Sequence, residues 1–175
     1  MELLEVLNEN GNLTGQVLDK RTIHQFGLYH KEVAIFLIND KKEILLQKRA
    51  SSKEIEPNKW AWHGGHVIAF EDTTDAIIRE AEEELGIKLT KNNINLLLTL
   101  KHNKMPNKQF TYVYYSFCNY PINKFKIQKE ELSEIKWFEF KDFKSMIFSS
   151  NPDMMFKNNE NTNKIICSLE KIINK

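Results

Sequence analysis

The sequence is short of the residues that build disulfide scaffolds, cysteine metal clusters and collagen-like repeats. It has only two cysteines, six glycines and four prolines in 175 residues. Cys118 and Cys167 are too few and too far apart for a disulfide framework, and we expect both to be reduced thiols. With 41% hydrophobic and 28% charged residues, the composition is that of an ordinary globular protein. A chain of this length is expected to form one domain over residues 1–175.

Long apolar runs and an excess of one charge are also missing. The first residues have no cationic leader before an apolar stretch, so we expect no signal peptide. No run approaches the roughly 18 apolar residues of a membrane helix. Lys and Arg number 25 against 24 Asp and Glu, so no global field would steer the chain to nucleic acid or to an anionic membrane. These observations predict a cytoplasmic protein that binds neither.

The near-neutral total hides an uneven distribution of charge. Residues 71–84 hold seven acids and one base, a net charge of −6, so the rest of the chain carries +7. Arginine is scarce, and Arg21, Arg49 and Arg79 are the only ones. We interpret these as positions that need the planar fork of a guanidinium. The sequence therefore predicts a local trap for cations within a mildly basic body that suits an anionic substrate.

The order of predicted elements is typical of a sandwich of the α/β or α+β class. The helix at 73–85 has Asp72 or Thr73 as its candidate N-cap and Gly86 as its C-terminal stop. Residues 149–163, rich in Asn and Pro, are predicted to be a mobile loop. Strands are predicted over 3–7, 33–38, 43–47, 93–101, 109–118 and 134–138, and helices over 19–26, 73–85, 141–148 and about 163–174.

Helix 73–85 carries acids where folding alone would not place them. On a helical wheel, Glu80, Glu83 and Glu84 share a face beside the apolar stripe. Glu80 repels both others at i, i+3 and i, i+4, at about 0.2–0.5 kcal/mol per pair. These acids also occupy the last turns, where the helix dipole disfavours anions by about 0.3–1 kcal/mol each. A divalent cation would remove the conflict, and oxygen ligands without Cys or His favour Mg²⁺, with Mn²⁺ as the alternative.

The stretch from residue 65 to residue 87 resembles the Nudix box, G-x5-E-x7-R-E-U-x-E-E-x-G-U, in which U is a hydrophobic residue. Ala81, a small residue at the first U, is the only mild departure. Every other required position is matched, by Gly65, Glu71, Arg79, Glu80, Glu83, Glu84, Gly86 and Ile87. The chain is thus similar to the Nudix (MutT-like) hydrolase superfamily.

The resemblance implies an α/β/α sandwich with a mixed sheet and a strand–loop–helix catalytic motif. It also implies hydrolysis of a diphosphate linked to another moiety, such as a nucleoside diphosphate derivative. Mg²⁺ would be bound by Glu80, Glu83, Glu84 and the carbonyl of Gly65. Arg79 would brace the glutamates, and Glu71 and Gly86 would hold the motif in shape. Dimers are common in this superfamily, so a homodimer is one expected oligomeric state.

The box leaves the general base and the substrate open. Glu83 or Glu80 is the expected base, although Glu130 and Glu131 are candidates outside the helix. Candidate substrate ligands are Lys48 and Arg49, at the end of a strand, and His66, directly after Gly65. Tyr112 and Tyr114 alternate along one strand and either pack in the core or stack on a ring of the substrate.

The residues before the box narrow the resemblance to one branch, which joins isopentenyl-diphosphate isomerases to isomerase-like Nudix hydrolases. An isomerase would use His24, His30 and His66 as metal ligands, with an acid–base cysteine directly before the Gly-His pair. This sequence has Gly64 there. Residues 103–118 also contain no Asp or Glu, whereas an isomerase carries glutamates on the strand after the box. We therefore favour a hydrolase and keep two alternatives, an isomerase and a non-catalytic diphosphate-binding module.

Overall fold

A computed structural model describes residues 2–174 of the chain, so Met1 and Lys175 lie outside the described residues. Strands and helices alternate as the sequence predicts. The strands are β1 (Leu3–Leu7), β2 (Leu13–Asp19), β3 (His30–Ile38), β4 (Glu43–Arg49), β5 (Trp60–Ala61), β6 (His63–His66), β7 (Asn95–Asn103), β8 (Lys108–Phe117) and β9 (Leu132–Glu139). The helices are α1 (Lys20–Phe26), α2 (Thr73–Leu85), α3 (Phe140–Phe148) and α4 (Glu160–Ile173).

A seven-stranded mixed sheet forms the centre of the fold. Its main path runs β5-β4-β3-β8-β7, while β6 pairs with β3 and β9 pairs with β4. The β3–β8 pair is parallel and the other pairs are antiparallel. β3 is buried on both faces because its side chains alternate between two cores. Strands β1 and β2 form a separate two-stranded sheet.

Helices cover both faces of the sheet, which confirms the predicted α/β/α sandwich. One core contains Ala34 and Phe36 of β3 together with residues of α3 and α4. The opposite core contains Val33 and Ile35 of β3 together with the apolar stripe of α2. None of the helices within residues 2–174 combines the length and apolar character needed to cross a bilayer.

Helix α2 begins and ends where its capping residues predict. The side chain of Asp72 accepts a hydrogen bond from the backbone N–H of Thr74 at 2.8 Å, which satisfies a free donor of the first turn. Gly86 adopts a left-handed conformation with φ of 66°, which is favourable for glycine and ends the helix. The caps hold the acidic helix in a fixed position against the sheet.

The structure corrects three predictions: a strand that was missed, the start of a helix, and a loop. Strand β2 was not predicted, and α4 begins at Glu160 rather than near 163, because the Asn159 side chain accepts from the N–H of Thr162 at 3.0 Å. The prediction of a mobile loop over 149–163 was wrong in part. Met154 and Phe156 of this segment are buried in the core, and the N–H of Trp60 donates to the carbonyl of Asp153 at 2.8 Å. Burial and pairing therefore anchor the segment.

Candidate active site

Strand β6 and helix α2 place the predicted motif residues around one point. β6 pairs antiparallel with β3, so that Gly65 lies opposite Val33. The connecting loop is closed by Glu71, whose carboxylate accepts a hydrogen bond from the N–H of Ile68 at 3.2 Å. The sheet fixes one end of the strand–loop–helix unit and the capped helix fixes the other.

Arg79 is the centre of a hydrogen-bonded ion network. Its Nε and Nη2 donate to the two oxygens of Glu71 at 2.9 and 3.0 Å. Nη1 donates to Glu80 at 2.7 Å and to Glu83 at 3.3 Å, and Nη2 also donates to the carbonyl of His66 at 3.0 Å. The hydrogen bonds to Glu71 contribute most to raising the pKa of Arg79. Only a planar guanidinium offers donors in this arrangement, so the geometry fits a bracing role.

The three glutamates differ in exposure, and the order follows the helical wheel. The side chain of Glu84 is 7% exposed, that of Glu80 13% and that of Glu83 54%. Glu84 lies nearest the apolar stripe, and Glu83 lies farthest from it. The cluster thus contains two buried carboxylates and one that is open to solvent.

Burial makes the charged form of Glu80 unfavourable. Desolvation raises the pKa of Glu80 to about 7, against the opposing effect of the Arg79 guanidinium, and the neighbouring Glu84 and Glu83 raise it further. A single arginine therefore does not compensate the cluster fully, and added positive charge would stabilise its ionised form.

The residues fit a divalent metal ion, because Gly65 leaves room for a carboxylate against the strand. A Cβ at position 65 would lie 2.7–2.8 Å from the carboxylate atoms of Glu80, so a side chain here would displace that carboxylate. The carboxylates of Glu80, Glu83 and Glu84 and the carbonyl of Gly65 form an all-oxygen donor set, which suits Mg²⁺ or Mn²⁺.

The other predicted site residues lie apart from the glutamates. Lys48 extends over the indole ring of Trp60, with 5.8 Å between Nζ and the ring centre. Arg49 donates from Nε to the carbonyl of Ile55 at 2.9 Å. Glu131 forms an ion pair with Lys53, and its neighbour Glu130 is exposed. Tyr114 is buried and hydrogen-bonds Thr73 at 2.8 Å, so this tyrosine has a packing role.

A second cluster lies on the opposite face of β6. Because side chains alternate along a strand, His66 points away from the face that Gly65 presents to Glu80. There it meets His24 from α1 and His30 from β3. One ring nitrogen of each imidazole lies within 4.8 Å of those of the other two. Imidazole nitrogens at this spacing could hold a transition-metal ion.

The imidazoles are held in their neutral form. Burial lowers the pKa of all three histidines. The pKa of His30 falls to about 4 and that of His66 to about 2, and the pKa of His24 is also below its ordinary value. Among residues 2–174, the buried Nε2 atoms of His24 and His30 have no hydrogen-bond partner. Neutral imidazoles with free nitrogens are the form that binds a metal.

A cleft of about 520 Å³ opens beside the histidines rather than beside the glutamates. Lys20 and Arg21 supply positive charge to it, and the carboxylate of Glu2 lies 3.6 Å from Nδ1 of His66. The cleft is lined by Glu2, Asp19, Lys20, Arg21, His24 and Glu54. Three acids and two bases line the cleft, so its charge does not favour a ligand that carries phosphate groups.

One buried carboxylate on this face escaped the sequence analysis. Glu32 lies opposite His66 in the β3–β6 register, and it accepts hydrogen bonds from Thr111, at 2.8 Å, and from Gln109. Burial raises the pKa of Glu32 to about 7. Glu32 directly follows His30 and Lys31 in the sequence, so nothing local marks it as buried, and only the strand pairing shows what it faces.

Gly64 cannot be replaced by a residue with a side chain in this backbone. Its φ is 140°, and a Cβ would overlap the carbonyl oxygen of Val33 and lie 2.8 Å from Cα of Ala34. The position at which an isomerase has its cysteine is therefore filled by the backbone of β3.

Comparison with known proteins agrees with this geometry. The NUDIX domain family matches residues 28–157 of the chain. A protein named Nudix hydrolase 3 from Arabidopsis thaliana is 29% identical over 161 residues, which are 86% of this chain but only 21% of that protein. An isopentenyl-diphosphate Delta-isomerase from Aliivibrio fischeri strain MJ11 is 30% identical over 160 residues, 87% of either chain.

Solved structures share the fold at low sequence identity. A protein from Deinococcus radiodurans has a TM-score of 0.72 and 20% identity, covering 97% of this chain and 98% of that one. The NUDIX domain of NrtR from Shewanella oneidensis, in a complex with ADP ribose, has a TM-score of 0.61 and 18% identity, covering 82% and 87%. The chain belongs to the Nudix superfamily, in the branch that also contains isopentenyl-diphosphate isomerases.

Proposed function

We propose that the protein is a Mg²⁺-dependent hydrolase that cleaves the diphosphate linkage of a nucleoside diphosphate derivative or a related organic diphosphate. The observation that carries this proposal is that Arg79 holds Glu80 and Glu83, while Glu80 lies against Gly65 and Glu84 accepts from the N–H of Gly64. Members of the Nudix family act on diphosphate-containing substrates, and this chain has every residue of the motif.

The buried glutamates and the carbonyl of Gly65 hold the metal in this proposal. A bound Mg²⁺ would neutralise the diphosphate and lower the pKa of a coordinated water. Glu80 and Glu84 are restrained, Glu80 by Arg79 at 2.7 Å and Glu84 by the N–H of Gly64 at 3.1 Å. Because both carboxylates are already fixed, little conformational entropy is lost when the ion binds.

Glu83 is the proposed general base, with Glu80 as the alternative. The water oxygen attacks one phosphorus, the anhydride P–O bond breaks, and the proton of the water passes to the carboxylate. The leaving phosphate then takes a proton from solvent. Glu83 is the glutamate open to solvent, so it can reach a water and a substrate, and its hydrogen bond from Arg79 orients it.

Basic residues outside the motif would bind the phosphates. We propose Arg49 and His66 as substrate ligands, together with Lys48. Arg49 ends β4, and its Nε donates to the carbonyl of Ile55, so Nε would have to leave that carbonyl to bind phosphate. Lys48 contacts Trp60 instead, so it would have to swing away from that ring to bind phosphate.

An isomerase is the second candidate, and the cluster of His24, His30 and His66 is the observation that favours it. Isomerisation of a carbon skeleton needs one group that donates a proton and another that accepts one. Glu32 could serve as one of them, but position 64 offers no side chain and no room for one. The hydrolase proposal needs no group at that position.

A release assay over a panel of organic diphosphates tests the proposal. Wild type and the Glu83→Gln variant are incubated with Mg²⁺ and with nucleoside diphosphates, nucleotide sugars including ADP ribose, or isopentenyl diphosphate. We expect wild type to hydrolyse at least one nucleotide compound, and Glu83→Gln to reduce kcat by about 100- to 10,000-fold, the range for a lost general base.

Glu82→Gln is the matched control, because Glu82 is an exposed glutamate in the same turn of α2 that occupies an unspecified position of the box. It removes the same charge and should leave kcat within about twofold. Conversion of isopentenyl diphosphate with no hydrolysis would overturn the proposal in favour of the isomerase. Tight binding without turnover would favour a binding module.

A further inference from the structure

A histidine that the proposed reaction does not use is buried beside the metal ligands. His63 of β6 is fully buried, and among the described residues neither of its ring nitrogens has a hydrogen-bond partner. Its Nδ1 lies 3.7 Å from Oε2 of Glu84. A buried polar group without a partner destabilises the fold, so an apolar residue here would make the fold more stable.

The strand pairing fixes the direction of this side chain. His63 lies opposite Ile35 of β3, whose side chain belongs to the core under α2. The preceding residue, Trp62, is held by Gln47, whose amide donates to the Trp62 carbonyl at 2.7 Å. His63 therefore cannot turn toward the solvent or toward the histidine cluster on the other face, and Glu84 is the charged group that it faces.

Glu84 already accepts one hydrogen bond from this strand. The backbone N–H of Gly64 donates to Oε2 of Glu84 at 3.1 Å, so the same oxygen is approached by Gly64 and by Nδ1 of His63. A movement of about half an ångström would bring the His63 contact to normal hydrogen-bond length. With Oε2 held by the strand, Oε1 is left for the metal.

We propose that His63 is a positioning residue that donates a hydrogen bond from Nδ1–H to Glu84 and so orients this carboxylate for the metal ion. The inference rests on the proposed function, because it takes Glu84 as a metal ligand. Partners that orient a metal ligand typically change metal affinity by 10- to 100-fold when they are removed. This role explains why a buried histidine occupies position 63, where an apolar residue would make the fold more stable.

Three substitutions separate positioning from packing. His63→Leu introduces an apolar side chain of moderate size and removes every hydrogen-bond donor of the side chain. His63→Asn places an amide N–H near the position of Nδ1, and His63→Gln places one near that of Nε2. Mg²⁺ affinity is measured by calorimetry on the protein without substrate, and the thermal midpoint is measured on the metal-free protein.

We expect His63→Leu to weaken Mg²⁺ binding by 10- to 100-fold, with a metal-free midpoint equal to or above that of wild type. His63→Asn should bind Mg²⁺ within about threefold of wild type and more tightly than His63→Gln, because only the asparagine donates from the correct side. Wild-type affinity in His63→Leu, or equal weakening in His63→Leu and His63→Asn, would overturn the positioning role.

A measurement on the wild-type protein covers the case in which a variant does not fold. Long-range ¹H–¹⁵N correlation of the histidine rings in the Mg²⁺-loaded protein reports which nitrogen of His63 carries the proton. The proposal requires the Nδ1–H tautomer, and a proton on Nε2 alone would contradict it.

Mg²⁺ affinities of two variants, together with the hydrolysis assay, distinguish failure of the positioning role from failure of the proposed function. If Glu84→Gln leaves Mg²⁺ affinity unchanged, Glu84 is not a ligand and both fail. If Glu84→Gln weakens binding but His63→Leu does not, only the positioning role fails. If both weaken binding and no diphosphate is hydrolysed, the positioning role is supported and only the hydrolase proposal fails.

Discussion

The two faces of strand β6 carry two polar clusters that are organised in opposite ways. On one face, the acids around Gly65 are tied together by Arg79, which donates to three carboxylates and to a backbone carbonyl. On the other face, His66 meets His24 and His30, where buried ring nitrogens have no partner within residues 2–174. One cluster is charged and hydrogen-bonded. The other is neutral, and buried ring nitrogens in it have no hydrogen-bond partner within residues 2–174.

The difference indicates what each cluster requires. Three carboxylates and one guanidinium leave a negative centre, and burial, together with the neighbouring Glu84 and Glu83, raises the pKa of Glu80. The imidazoles instead carry free lone pairs and depressed pKa values. Hard oxygen ligands select Mg²⁺, and neutral imidazoles select a transition metal. We therefore expect the glutamate face to perform Mg²⁺ chemistry independently of the metal preference of the histidine face.

The largest expected effect is a loss of stability when Gly64, in the strand that separates the two faces, is replaced. Gly64→Ala places a Cβ against the Val33 carbonyl and Cα of Ala34 at a φ of 140°, which only glycine adopts readily. We expect at least about 3 kcal/mol of lost stability, from strain and overpacking together, measured by urea unfolding.

Gly65→Ala is the matched control for this substitution. Its Cβ would touch only the carboxylate end of Glu80, a flexible group, so the fold should persist while Mg²⁺ binding weakens. Equal stability of the two variants would contradict the assigned role of Gly64.

The next largest effect comes from breaking the network on the glutamate face. Arg79→Lys keeps the charge but cannot reach both oxygens of Glu71 as well as Glu80 and the His66 carbonyl. Losing charge-assisted hydrogen bonds should lower the free energy of unfolding by about 2 kcal/mol, and kcat should fall with it. Arg21→Lys, outside the network, is the control for stability, and a similar loss of stability in both variants would argue against a special role for Arg79.

Within any one pH unit, a smaller effect is expected in the pH dependence of stability. The metal-free folded protein keeps a proton on Glu80 up to about pH 7, whereas the ordinary pKa of this group is 4.5. The stability from this proton is fully present below about pH 4.5 and is lost as the pH rises through about 7, by up to about 1.4 kcal/mol per pH unit.

Glu80→Gln has no such proton to lose. We therefore expect wild type to lose stability relative to Glu80→Gln when the metal-free proteins are unfolded in urea at increasing pH between these limits. A difference in stability that does not change with pH would contradict the burial assigned to this carboxyl.

The smallest expected effect tests the independence of the two faces. His24→Asn removes one imidazole from the histidine cluster, on the far side of β6 from Glu80. Mg²⁺ affinity should stay within about twofold of wild type, while the affinity for Zn²⁺ should fall about tenfold or more, as for loss of a direct ligand. Calorimetry with each ion checks this, and a matching loss of Mg²⁺ affinity would show that the faces are coupled.

Local signals predicted the glutamate face well. Capping residues placed α2 at 73–85, and the helical wheel placed Glu80, Glu83 and Glu84 on one face beside the apolar stripe, because each angle follows from sequence spacing alone. The resemblance to the Nudix box supplied the expected role of Arg79, and the structure shows the hydrogen bonds that fit this role.

Long-range pairing limited the prediction elsewhere. The structure brings His24, His30 and His66 together through α1, β3 and β6, and the role of Glu32 depends on its pairing with His66 and Thr111. Strand β2 was missed because none of its side chains is fully buried and its apolar residues do not alternate with polar ones. Met154 lies in a polar segment whose composition resembles that of a loop, and only tertiary contacts bury it.

Isotope tracing tests most directly the claim that the glutamate face performs hydrolysis. The protein is incubated with Mg²⁺ in H₂¹⁸O together with the nucleotide compound that the release assay identifies as a substrate. A parallel incubation contains isopentenyl diphosphate in D₂O. The masses of the products are measured by mass spectrometry. We predict one ¹⁸O atom in a phosphate product, lost in Glu83→Gln and kept in Glu82→Gln, with no deuterium on carbon. Deuterium on the carbon skeleton without ¹⁸O in phosphate would contradict the account.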